Sequence, residues 1–129
     1  MAQPVLGILV THASLGTELL RTAETILGPQ TRIEVISNTG TSVAGLSEKL
    51  RDLIAETADQ TIFLFVDLLG GSCSHACREI RRLHPNTIVF SGVNLPMFLE
   101  FLHHRDRVDL EELRTRVIAK GRDGIQCLS

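Results

Sequence analysis

Residues 61–66 read Thr-Ile-Phe-Leu-Phe-Val, with no charge and two large aromatic rings. Successive side chains of a β-strand point to opposite faces. A run that is apolar at every position must therefore be covered on both faces. That condition is met by a central strand of a mainly parallel sheet packed between helices. The run is far too short to span a bilayer.

The rest of the chain fits around such a strand. Val5–Val10 is a second apolar run, and Thr87–Phe90 a third. Arg32–Ser37 alternates polar and apolar residues, as a half-exposed strand does. Between these runs lie stretches with helical spacing. Leu15, Leu19, Ala23 and Ile26 share one face after a Ser14 cap, and Gly28-Pro29 ends that helix. Val43, Leu46, Leu50, Leu53 and Ile54 share a second. A third helix is expected from about Cys73 to Leu83, a short one over Leu95–His103, and a last one from an Asp109 cap through Ala119. Gly124–Leu128 reads as a possible fifth, antiparallel strand. Strands alternating with helices imply right-handed crossovers. The expectation is a single domain over residues 1–129, a three-layer α/β sandwich of flavodoxin-like type.

In such a sheet, ligands bind outside the carboxyl ends of the strands. Those ends carry Thr11-His12, Asn38-Thr39-Gly40, Asp67 and Ser91-Gly92-Val93-Asn94. His12 is the only histidine among them. A neutral imidazole is nucleophilic near physiological pH and can carry a phosphoryl group. It needs a partner on its other nitrogen to fix tautomer and orientation. Asp67 can supply that partner if its strand neighbours the first. Gly70-Gly71-Ser72 precedes a helix, where backbone N–H groups and a hydroxyl favour an anion. Taken singly, each has a plainer reading: His12 as a turn residue, Asp67 as a cap, Gly70-Gly71 as a tight turn.

Three strand-end segments in order carry more than any one of them. Gly7-Ile8-Leu9-Val10-Thr11-His12, Val66-Asp67-Leu68-Leu69-Gly70-Gly71-Ser72 and Ser91-Gly92-Val93-Asn94-Leu95-Pro96-Met97 resemble the mannose-family IIA component of the bacterial phosphoenolpyruvate-dependent sugar phosphotransferase system (PTS). Leu110–Leu113 and Gly121–Ile125 are similar too, so the likeness covers nearly the whole chain. The resemblance implies a cytoplasmic phosphotransferase component that needs no cofactor and no metal. His12 would accept a phosphoryl group from the carrier protein HPr and pass it to a histidine of a separate IIB component, itself working with membrane components IIC and IID. Asp67 would hold the histidine, and Thr11, Gly70, Gly71 and Ser72 would surround the phosphoryl group. Leu68, Leu69, Asn94, Leu95, Pro96, Met97 and Phe98 are expected at an apolar docking rim. A homodimer is implied, with the C-terminal strand exchanged or packed across the interface.

The chain departs from the family pattern at three places. Ala13 stands where Gly is usual, Cys73 where Pro is frequent, and His75 where Asn is common. Cys73, His75, Cys77 and Cys127 make a poor zinc signature, and small packing residues are the better reading of the two helical cysteines. Three other functions fit less of the sequence. They are a regulatory module whose phosphorylation state controls a partner without sugar transport, the related dihydroxyacetone-kinase phosphotransfer subunit, and a redox protein using Cys73 and Cys77. The net charge of −2 and the absence of Trp and Tyr argue against a nucleic-acid partner. Met1–Leu9 lacks the basic region of a signal peptide.

Overall fold

Each apolar run forms a strand, and each amphipathic stretch forms a helix between them. The computed structural model describes residues 5–57 and 60–129. Its order is β1 (Val5–Thr11), α1 (Leu15–Leu27), β2 (Ile33–Ser37), α2 (Val43–Ala55), β3 (Thr61–Val66), α3 (Ser72–Leu83), β4 (Thr87–Phe90), α4 (Leu95–His104) and α5 (Leu110–Asp123). The four strands are parallel in the order β2-β1-β3-β4. The α/β architecture expected from the sequence is the one observed.

β3 lies inside the sheet and its alternation divides the core. Phe63 and Phe65 face α1, α4 and α5, packing with Val5, Leu9, Phe98, Phe101, Leu113 and Val117. Ile62, Leu64 and Val66 face α2 and α3, packing with Leu46, Leu50, Ala76, Cys77 and Ile80. The first core is aromatic: the Phe65 ring meets those of Phe63, Phe90, Phe98 and Phe101 at centroid separations of 5.0–6.3 Å. A Phe65→Ala substitution is expected to cost about 3–5 kcal/mol, since the removed ring leaves a cavity its neighbours fill only partly. A urea denaturation midpoint close to that of the unaltered chain would contradict this packing.

The topology also decides where a ligand can sit. The chain passes from β1 outward to β2, then returns to β3 and proceeds outward to β4 on the other side. The strand order therefore reverses between β1 and β3, which opens a crevice at their carboxyl ends. In the β1–β3 register Val10 lies beside Val66, so the next residues along, including His12 and Asp67, leave the sheet side by side.

The structure corrects several local expectations. Residues 125–129 form no strand; α5 instead continues to Asp123, and Ile125 and Leu128 are exposed. α5 thus runs beyond the expected Ala119 and includes Gly121, packed closely on α4: a Cβ there would lie 3.1 Å from Met97 Cε. On α1, Leu15 and Ile26 are exposed, and the covered face is Gly16 and Ala23 with Leu19 and Leu20. Ser14 makes no side-chain cap. The buried Thr11 hydroxyl takes that place, accepting the Gly16 N–H at 2.7 Å. α4 runs one residue further than expected, to His104. Among the described residues, no helix is long and apolar enough to cross a membrane.

Candidate active site

His12 follows β1 and Asp67 follows β3, and the two meet. Asp67 Oδ2 accepts the His12 backbone N–H at 2.9 Å. The His12 ring turns the same way, placing Nδ1 3.0 Å from Asp67 Oδ2 and 3.1 Å from Oδ1. A carboxylate only accepts hydrogen bonds, so Nδ1 carries the ring proton and the lone pair sits on Nε2. Asp67 thus fixes the backbone, the ring orientation and the tautomer at once. The His12 side chain is 39% exposed and that of Asp67 only 10%. The ring is thus partly open to solvent while the carboxylate that supports it is mostly covered.

The turn after His12 is held tightly. Ala13 adopts φ +50°, a left-handed conformation that favours glycine. Two hydrogen bonds hold it there: its N–H donates to Asn38 Oδ1 at 3.2 Å, and its carbonyl accepts from Ser37 Oγ at 2.8 Å. Asn38 also reaches Ser72 Oγ through Nδ2 at 3.5 Å. The end of β2 therefore ties the histidine turn to the start of α3.

That helix start lies against the open face of the ring. Gly70 has φ +94°, which suits a residue without Cβ. Gly71 is the N-cap residue of α3 and carries no capping side chain. A Cβ on Gly71 would lie 3.1 Å from His12 Cε1 and 3.3 Å from Nε2, so a glycine there leaves room for the imidazole. The first hydrogen bond closing the helix is from His75 N–H to the Gly71 carbonyl. The preceding N–H groups of the first turn are those an α-helix leaves unpaired, and they carry the positive end of its dipole. Cys73 lies beneath the ring, its Sγ 3.9 Å from His12 Nδ1.

Other expected site residues fall differently. Thr11 is fully buried and its hydroxyl is engaged with Gly16. Leu68 and Leu69 are 59% and 65% exposed beside the site, as a rim requires. Asn94 instead caps α4, accepting from Met97 N–H and donating to the Gly121 carbonyl. Met97 and Phe98 are core residues, and Leu95 and Pro96 are half-buried. His75 is exposed on α3 and Cys127 is exposed beyond α5. Burial and neighbouring Cys73 push the Cys77 thiol up to about 12, which leaves little thiolate for redox chemistry near neutral pH. Burial first, and the charge of Asp67 second, also raise the Cys73 thiol. Sequence reasoning gave no role to two residues that hold or touch the histidine turn, Asn38 and Cys73. Asn38 was legible as a strand end adjoining β1, but Cys73 had no signal beyond its place in the first turn of α3.

Residues 7–118 match the EIIA-man family, described as the PTS system fructose IIA component. The chain belongs to this family. It is 34% identical over 125 residues to the PTS system mannose-specific EIIAB component of Escherichia coli K12, a match covering 94% of this chain and 38% of that protein. It therefore spans well under half the length of that relative. It is 26% identical over 107 residues to the sorbose-specific EIIA component of Klebsiella pneumoniae, covering 83% of this chain and 79% of that one. The crystal structure of phosphotransferase system component EIIA from Streptococcus agalactiae superposes with a TM-score of 0.86 at 26% identity, covering 96% of this chain and 97% of that one. These similarities support the mannose-family IIA reading made from the three strand-end segments.

Proposed function

We propose that this protein is a cytoplasmic phosphocarrier of a sugar PTS, accepting a phosphoryl group on His12 Nε2 from phosphohistidine on HPr and passing it to a histidine of a IIB component. The observation that carries this reading is the His12–Asp67 pair, which leaves the lone pair on Nε2 of a partly exposed ring. In the forward step the Nε2 lone pair attacks phosphorus and the donor's P–N bond breaks. The electron pair of that bond leaves on the donor imidazole. The positive charge that develops on the His12 ring is stabilised by Asp67. The phosphoryl oxygens are received by the first-turn N–H groups of α3 and by the Ser72 hydroxyl.

Onward transfer requires that the phosphorylated state be held only loosely. An exposed ring at a shallow edge suits that need, because two proteins must approach the same nitrogen in turn. Leu68 and Leu69 provide apolar surface for both. The family likeness also implies a homodimer. Exposed Ile125 and Leu128, and the open edge of β4, offer apolar surface and strand positions for a second copy.

The test is incubation with phosphoenolpyruvate, the first PTS enzyme and HPr, followed by mapping of the phosphosite and addition of a IIB component. Label on His12 that moves to the IIB component is the expected result. Label that stays on this chain with every IIB component tried would favour the regulatory reading. The close approach of Gly71 gives a further test. Gly71→Ala keeps an allowed extended backbone (φ −88°, ψ −175°), yet its Cβ crowds the ring. Transfer is expected to slow about tenfold or more through misplacement of Nε2, with a nearly unchanged thermal midpoint. An unchanged single-turnover rate would mean that the ring does not rest on Gly71 when it reacts.

A further inference from the structure

A nitrogen, a carboxylate and a thiol from three separate segments meet at this site. The ligand atoms of His12, Asp67 and Cys73 all lie within 4.8 Å of one another. His12 Nδ1 is 3.0–3.1 Å from the Asp67 oxygens and 3.9 Å from Cys73 Sγ. A tetrahedral zinc ion, with bonds of about 2.0–2.2 Å to N and O and about 2.3 Å to S, holds such ligand pairs roughly 3.3–3.6 Å apart. The Nδ1 pairs need shifts of a few tenths of an ångström to reach that arrangement, and the whole set, within 4.8 Å, needs shifts of up to about an ångström. We propose that His12 Nδ1, Asp67 Oδ1 and Cys73 Sγ form an inhibitory binding site for a zinc-class divalent cation.

The donor set selects the ion. Imidazole with thiolate suits Zn²⁺ and disfavours Mg²⁺ and Ca²⁺, which take oxygen ligands. Three protein ligands leave a fourth position for water. Asp67 Oδ2 continues to accept the His12 backbone N–H, so the carboxylate stays oriented while Oδ1 turns to the metal. This set differs from the Cys73, His75, Cys77 and Cys127 grouping weighed from the sequence. Among the described residues, only the set with His12 and Asp67 comes together.

Inhibition follows from proton placement. Loading forms the Nδ1–, Oδ1– and Sγ–metal bonds and releases the thiol proton to solvent. The single ring proton moves from Nδ1 to Nε2, where it occupies the lone pair that would attack phosphorus. The ion also takes Asp67 from its role as partner of Nδ1–H. The inhibitory half of the proposal rests on His12 being the phosphoryl acceptor, whereas the binding half does not.

Both halves are measurable on the full chain. Co²⁺ added alone is expected to produce a near-ultraviolet thiolate charge-transfer band at one equivalent, and Zn²⁺ to abolish it while Mg²⁺ does not. Cys73→Ser should lose the band and weaken Zn²⁺ binding, read against a chromogenic chelator, by more than about tenfold, since even residues that merely orient ligands cost that much. His12→Ala, at a half-exposed position, should weaken binding similarly and serves as the second variant if Cys73→Ser folds poorly. Cys77→Ser and Cys127→Ser should keep the band. An unchanged band in Cys73→Ser, or its loss in Cys127→Ser, overturns the site. For inhibition, labelling by phosphorylated HPr should fall with Zn²⁺ and return on chelation, and the ratio with and without Zn²⁺ should stay near one in Cys73→Ser. Zinc-insensitive labelling of the unaltered chain overturns the inhibitory half. If HPr fails to label even the metal-free chain, the phosphocarrier reading fails while the cobalt band still decides the binding.

Discussion

A His12→Ala chain is expected to take up no phosphoryl group from phosphorylated HPr. The chain has five histidines, and the environment of each decides the matter. His75 is exposed on the outer side of α3, beyond the helix start, and lacks a carboxylate partner among the described residues. His84 follows the last turn of α3, where helix carbonyls point. His104 does have a carboxylate, with Nε2 3.4 Å from Glu100. It lies, however, in the last turn of α4, at the negative end of a helix dipole that disfavours a phosphoryl anion. His103 shares that end and contacts Arg107. Among the described residues, only His12 combines a carboxylate on one ring nitrogen with a helix N-terminus beside the other. The substitution removes a half-exposed side chain and leaves the His12 position's N–H on Asp67, so the fold should survive. Labelling with phosphoenolpyruvate, the first PTS enzyme and HPr, with phosphosite mapping and a thermal melt alongside, reads both outcomes. Full incorporation, on His75 or His104 in particular, would remove His12 from the mechanism.

The sequence and the structure divide unevenly over this site. The central place of β3 was legible because residues 61–66 offer no polar face to solvent. His12 and Asp67 were legible because polar groups directly following buried runs fall at the functional edge of a parallel sheet. Their adjacency was not. It depends on β1 and β3 being neighbours, which follows from the crossover directions of the whole chain rather than from local pattern. Cys73 illustrates the same limit: its reach to His12 depends on how α3 docks beneath the ring. The C-terminal error has another origin. Gly124–Leu128 has strand-like composition, but strand pairing is non-local, and no strand of this chain pairs with it in the described structure. On α1 the spacing was right and the face was shifted: of Leu15, Leu19, Ala23 and Ile26, Ala23 and Leu19 face the core with Gly16 and Leu20, while Leu15 and Ile26 are exposed.

Asp67→Asn is expected to slow phosphoryl transfer as severely as Asp67→Ala, although it changes the side chain far less. Both carboxylate oxygens lie 3.0–3.1 Å from His12 Nδ1. The amide orientation that keeps an oxygen on the His12 backbone N–H puts the –NH₂ group at the Oδ1 position, 3.1 Å from Nδ1. That N–H opposes a proton on Nδ1, and the neutral amide oxygen beside it is a weaker acceptor than a carboxylate, so the balance shifts toward the tautomer with its proton on Nε2, which has no lone pair there for attack. Alanine, by contrast, leaves Nδ1 to water and lets both tautomers form, but it leaves the developing positive charge without its partner and frees the His12 N–H. A loss on the order of 10²–10⁴-fold in the rate from phosphorylated HPr is expected for the asparagine variant, the range associated with a misplaced proton at a catalytic histidine. Asn retains an acceptor for the His12 backbone N–H, so its thermal midpoint should fall less than that of the alanine variant. Rapid-quench kinetics with paired melting curves separate the two effects. A steep loss of rate with a small loss of stability in Asp67→Asn assigns the carboxylate to the tautomer. Rates in Asp67→Asn equal to those of the unaltered chain would show that Nε2 attacks without help from this acid.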